Sequence, residues 1–222
     1  MIFRKLAAAL VLPLMFASAT ASATTVTTGA AADDWFSADS TFTSFTLSGD
    51  PSDSYLRTFG VGFVNRSALE FSLAGIGAGS TIGSATFTVQ SRGTAVSGGV
   101  FQFYGYSGDG AITTGDASQT FNLISTTPTL GGALLYTVDV TAFIQSLVNS
   151  NASYAGILIK LAVEGTFTGN DLVSSEATWA DPQDVPMLSV DFTDGQRVPE
   201  PASLALMGLA LAGFGAARRR KN

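Results

Sequence analysis

The chain of 222 residues contains no cysteine and no histidine. Without cysteine there is no disulfide framework, no thiolate nucleophile and no sulfur-built zinc cluster. Without histidine there is no Ser-His-Asp triad and no HExxH zinc site. No GxxxxGK[ST] phosphate loop occurs either. Positive charge is the next scarcity, with 11 Lys and Arg against 17 Asp and Glu. Six of those cations (Arg4, Lys5, Arg218, Arg219, Arg220 and Lys221) lie in two terminal segments. The body from Thr24 to Arg197 keeps five against 16 acids, a net of −11. Such a body repels nucleic acid and anionic headgroups. An acidic polymer could be held only by locally placed cations or a bridging metal. Carboxylate, tyrosine or lysine chemistry remains open, as does calcium bound by oxygen ligands.

Each end of the chain carries an apolar run. Arg4 and Lys5 precede an apolar stretch from Leu6 to Phe16, and Ala21-Ser22-Ala23 follows. This is the order of a secretory signal peptide, with cleavage expected after Ala23. At the other end Pro199, Glu200 and Pro201 break the chain, so a helix can start only near Pro201. The 16 residues from Ala202 to Ala217 carry no charge, and Arg218, Arg219, Arg220 and Lys221 follow. At ~1.5 Å per residue the run covers about 24 Å, short of the ~30 Å hydrocarbon core, so flanking residues or local thinning must supply the rest. The terminal cations favour a cytoplasmic C-terminus.

Pro-Glu-Pro, a short Gly/Ala/Leu span and a terminal arginine cluster, in that order, resemble the PEP-CTERM sorting signal of Gram-negative bacteria that make extracellular polysaccharide. The resemblance implies an exported protein, transiently held in the inner membrane by a C-terminal transmembrane helix. An exosortase would process it near Pro199, Glu200 and Pro201. The protein would then reside at the cell surface or in the extracellular matrix. An ordinary single-pass anchor would share the same physics up to the motif.

The body, about 174 residues, is one domain's worth and can build a core without crosslinks. It is rich in Thr, Ser, Gly and Phe. The pattern predicts short strands with period two. Leu69, Phe71 and Leu73 face one way and Glu70 and Ser72 the other; Ala85, Phe87 and Val89 alternate against Thr86 and Thr88. Phe101 and Phe103 continue this, as do Tyr136, Val138 and Val140, and then Leu188, Val190 and Phe192. A turn is expected over residues 49–53 and a buried strand over Gly156 to Leu161. One helix is expected, capped by Thr141, with Phe143, Ile144, Leu147 and Val148 as its apolar stripe and Asn149 to Asn151 as its end. Glycine turns between period-two strands argue an antiparallel sandwich.

The body also resembles the DNRLRE-type domains, related to disaggregatase-associated carbohydrate-binding modules. The pieces that carry the resemblance run in order from Arg66–Leu73 through Gly77–Gly79, Ser84–Phe87, Val140–Ile144, Gly156–Lys160 and Ser174–Glu176 to Pro186–Val190. Phe87 and Ile159 stand where the family pattern has Leu, and the usual Asn-Tyr-Gly segment before the Arg-Ser strand is missing. The resemblance implies a jelly roll. The expected fold is therefore all-β: an antiparallel jelly-roll sandwich with one short helix, flanked by the signal peptide (1–23) and the sorting signal (198–222).

Candidate sites are few. The run SGDGAITTGD, Ser107 to Asp116, looks like the later part of a calcium loop, with Asp109 and Asp116 as ligands. Gly105 and Ser107 stand at its first and third ligand positions, and a glycine-bearing β-turn is the competing reading. Trp179 lies between Glu176 and Asp181 in a polar loop, an arrangement suited to stacking on sugar C–H faces. Tyr106, Trp35 and Tyr104 are further platforms, each with a core role as its alternative. Arg66 reads as an ion-pairing residue at a strand start. Glu70, Glu164 and Glu176 are the only glutamates that could form an acid/base pair, and no spacing brings two together. The resulting expectation is a non-catalytic exported protein that binds or structures extracellular polysaccharide. A surface or adhesion protein with protein partners is the alternative, and a polysaccharide lyase the more remote one.

Overall fold

The computed structural model describes residues 23–39, 41, 44–48, 55–60, 63–92, 99–119, 121–127, 135–182, 184–195 and 208–210. Ser22–Arg197 form one compact unit, and the two chain ends form another. Of the latter, only residues 208–210 are described; they are helical and exposed. Among the described residues no helix is long and apolar enough to cross a membrane. The expected signal peptide up to residue 22, the sorting helix, and Pro199, Glu200, Pro201, Arg218, Arg219 and Arg220 lie outside the described residues, as does the turn at 49–53.

The body is mostly β, with antiparallel sheets and, among the described residues, one α-helix. Its strands are β1 (Ala23–Gly29), β2 (Ala32–Asp39), β3 (Phe45–Leu47), β4 (Tyr55–Gly60), β5 (Phe63–Ser72), β6 (Thr81–Gln90), β7 (Phe101–Gly108), β8 (Asn122–Thr126), β9 (Leu135–Asp139), β10 (Tyr154–Leu161), β11 (Thr168–Val173) and β12 (Met187–Thr193). Helix α1 spans Thr141–Asn149. One sheet runs β1-β12-β6-β9, a second β3-β2-β5-β10-β7-β8, and β11-β4 form a separate ribbon. A bridge between Ser91 and Leu172 joins that ribbon to the end of β6.

The period-two alternation explains the core. Leu69 and Phe71 of β5, Phe101 and Phe103 of β7 and Ile157 and Ile159 of β10 meet Phe87, Val89, Val138, Leu188 and Val190 of the four-stranded sheet in one buried cluster. Phe87 makes edge-on ring contacts with Phe71 at 5.7 Å and Phe103 at 6.0 Å, interlocking the two sheets. Each such buried ring stabilises the fold by roughly 1.5–3 kcal/mol. The helix closes this core with Ile144, Leu147 and Val148. Phe143 packs where a Cβ on Gly105 would come within 2.5 Å of its ring.

Two local expectations need correction. Thr141 is the first helical residue and not the cap; the cap position is Val140. Asp139 takes over, accepting hydrogen bonds from the Thr141 N–H (2.9 Å) and hydroxyl (2.6 Å). The outer side of β5 is also not solvated. Phe36, Ala68, Tyr106, Leu158 and Ala117 form a second buried cluster there, flanked by Phe45, Leu47, Tyr104, Ile112 and Phe121. The chain following β7 thus folds back over its own sheet.

Candidate functional site

Ribbon β4-β11 positions the most distinctive surface of the body. Along β4, Leu56 and Thr58 are buried while Tyr55 and Arg57 are half-buried, as a two-residue period requires. The antiparallel register sets Arg57 opposite Asp171. Arg57 Nε lies 3.4 Å from Asp171 Oδ1, and its Nη2 donates to the Tyr55 hydroxyl at 3.1 Å. The same guanidinium sits 5.3 Å from the Trp35 ring and 5.1 Å from the Tyr55 ring. On the other side of β11, the Arg92 N–H donates to the Asp171 carbonyl at 2.8 Å. That bond brings the Arg92 guanidinium to 5.2 Å from Tyr55 and 5.3 Å from Trp179. Trp179 is 53% exposed. Rings and cations are therefore neighbours in succession: Trp35, Arg57, Tyr55, Arg92, Trp179.

A pair of carboxyl groups lies beside this ladder. Asp33 is two residues before Trp35 on β2 and so projects from the same side of the strand. It accepts hydrogen bonds from the Ser175 N–H and hydroxyl, both at 2.8 Å. Glu176, the next residue of the Trp179 loop, lies near enough to act on the Asp33 carboxyl. Burial above all, then a side-chain hydrogen bond with Glu176 and the Glu176 charge, pushes the Asp33 pKa up to about 7 against the opposing Ser175 hydrogen bonds.

The other sequence candidates fall elsewhere. Tyr106 is only 3% exposed and cannot serve as an open stacking platform. Its ring fills the space over Gly156, where a Cβ would come within 2.3 Å of it. Beside it, Glu70 is 1% exposed and accepts the N–H groups of Asp109 (3.0 Å) and Gly110 (2.5 Å). Gly110 takes a left-handed φ of 97° to present that N–H. Burial pushes both the Glu70 carboxyl and the Tyr106 phenol upward. Asp116 is committed to its own turn, accepting from Thr113 N–H (2.7 Å), Thr113 hydroxyl (3.0 Å) and Gln119 (2.5 Å). Asp109 accepts from the Ala111 N–H at 3.0 Å. Among the described residues no three acidic groups converge where they could hold a metal ion.

Arg66 is the expected ion-pairing residue, gripping Glu164 through two 2.8 Å hydrogen bonds. Tyr104 lies beneath Lys160, 5.0 Å from its ammonium. Glu70, Glu164 and Glu176 are thus kept apart, and the partner that Glu176 does have is Asp33. Sequence reasoning missed Asp33, Tyr55, Arg57 and Arg92 as site residues, because they come from segments with no local spacing between them.

The chain end carries a separate signal. Residues 197–221 match the PEP-CTERM protein-sorting motif. That motif implies an exported protein, transiently anchored until an exosortase recognises and cleaves it. The match covers the tail and not the body. No curated protein matches the chain. Ala23, the residue after which signal cleavage is expected, is the first residue of β1 and pairs with Thr193.

Proposed function

We propose that the body is a non-catalytic polysaccharide-binding domain, delivered to the cell surface or extracellular matrix by its PEP-CTERM tail. The observation that carries this reading is the ladder Trp35–Arg57–Tyr55–Arg92–Trp179. An aromatic face covers the C–H side of a pyranose, and guanidinium N–H groups bind hydroxyls or acidic substituents. Pre-placed side chains also lose little conformational freedom when a ligand arrives. The DNRLRE-like pattern and a jelly-roll arrangement of the sandwich agree with this role. Trp179 and Glu176, both candidates in the sequence, sit at one end of the ladder, and Tyr106 is withdrawn from it.

The carboxyl pair argues against hydrolysis. Glycosidases that work with two carboxyl groups hold them about 5–9.5 Å apart, with the sugar or a water between. Asp33 is instead engaged by the Ser175 N–H and hydroxyl and by its neighbour Glu176, which makes it a support of the loop. The experiment is retention of the exported protein, purified from producing cells, on a panel of polysaccharides that includes the producer's own. Retention without turnover is the expected result. No retention on any polymer would sink the binding reading and favour protein partners, and release of unsaturated oligosaccharides would make the protein a lyase.

A further inference from the structure

All four described cations of the body lie over aromatic rings, but their polar edges are used differently. Arg66 is held by Glu164 and by the Ala117 carbonyl (2.6 Å). Arg57 is held by Asp171 and the Tyr55 hydroxyl. Arg92 differs from both. Its guanidinium lies against both Tyr55 and Trp179, and among the described residues no carboxylate or hydrogen-bond acceptor meets it. The residue is exposed.

A planar, always-charged fork with vacant N–H groups, set against two aromatic rings, matches a planar carboxylate carried on a sugar whose C–H face can stack beside it. We propose that Arg92 is the specificity residue of the ladder and that it takes the carboxylate of a uronic acid, making the ligand an acidic polysaccharide. This rests on the polysaccharide-binding reading and narrows it. Trp179, the exposed ring, stacks on the sugar beside the charged residue, Tyr55 holds the two guanidinium groups, and Arg57, already neutralised by Asp171, receives hydroxyls. Lys160 also meets no carboxylate among the described residues, but it is half-buried over Tyr104, whereas Arg92 is exposed beside Trp179. With a net charge of −11 a polyanion is repelled by the body at large and held where such a cation stands forward.

The probes are polygalacturonate, the same polymer after carboxyl reduction, dextran and dextran sulfate, tested by affinity electrophoresis with the exported protein. Polygalacturonate should retard it most. Arg92→Gln should weaken that retention by roughly 10-fold or more, the loss of one charge-assisted contact, and Arg92→Lys should recover only part. Among the described residues the Arg92 side chain makes no hydrogen bond or ion pair, so the melting temperature of both variants should lie close to wild type. Equal retention on the carboxyl-reduced polymer, or full retention by Arg92→Gln, would overturn the inference while leaving polysaccharide binding standing. Equal or stronger retention on dextran sulfate would overturn the choice of carboxylate. Loss of every interaction, neutral and acidic, would remove both.

Discussion

The Glu70 pocket and the Trp35–Trp179 ladder are assembled from the same kinds of residue: carboxylates, tyrosine and glycine-rich turns in one, carboxylates, tyrosine and tryptophan in the other. They differ in what covers them. At Glu70 the chain after β7 folds back, and its N–H groups occupy the carboxylate. At the ladder Trp179 and Arg92 lie against each other and both stay exposed. Polar chemistry that is enclosed becomes architecture, and the same chemistry left open is available to a ligand.

The sharpest way to break this contrast is to damage each region and ask which property fails. Glu70→Ala leaves two N–H groups without an acceptor in a closed space, and should lower unfolding free energy by about 3–5 kcal/mol in denaturant melts. Retention on polysaccharide, measured well below the new midpoint, should be unchanged. Trp179→Ala should do the reverse. Its exposed ring adds within about 0.5 kcal/mol to stability, yet its loss should reduce retention about tenfold. If the Trp179 variant melts early or binds normally, the ladder is packing and not a site.

A pH series sharpens the comparison further. Asp33 rises from 3.8 unfolded to about 7 folded, so between those values the native state holds the extra proton. Its contribution is therefore fully present below about pH 4 and is lost as pH rises through about 7. The melting temperature should fall between about pH 4 and 7 and level off above, and Asp33→Asn should flatten that fall. An Asp33→Asn curve parallel to wild type would mean that Asp33 does not carry the raised pKa. The smallest effect is expected from calcium. Asp109 and Asp116 already accept hydrogen bonds from their own turns, so melts in EDTA and in millimolar calcium should coincide. A rise of roughly 3–6 °C, abolished by Asp109→Ala, would instead make the loop a weak calcium site.

The sheets were legible in the sequence because β6, β7, β9 and β12 each bury one alternate set of residues, and alternation reports that directly. The burial of Glu70 and Tyr106 was not, since period two does not reveal whether the second face is covered. A signal did exist in Gly108 and Gly156, where a Cβ would strike Glu70 (2.4 Å) and Tyr106 (2.3 Å). Trp179 and Glu176 were legible as neighbours in one loop. Their companions were not, because Asp33 and Trp35, Tyr55 and Arg57, and Arg92 converge only through the registers of β2, β4 and β11. The cap was misplaced by one residue, from Val140 to Thr141, because Asp139, still within β9, reaches forward to the first turn.

Strand β12 lies between β1 and β6, hydrogen-bonded to both, and is the last described strand before the sorting tail. Mechanical tension entering through that tail would have to shear β12 out of two ladders together, whereas an edge strand could be unzipped one bond at a time. The end of the domain that carries the tail is thus its resistant end.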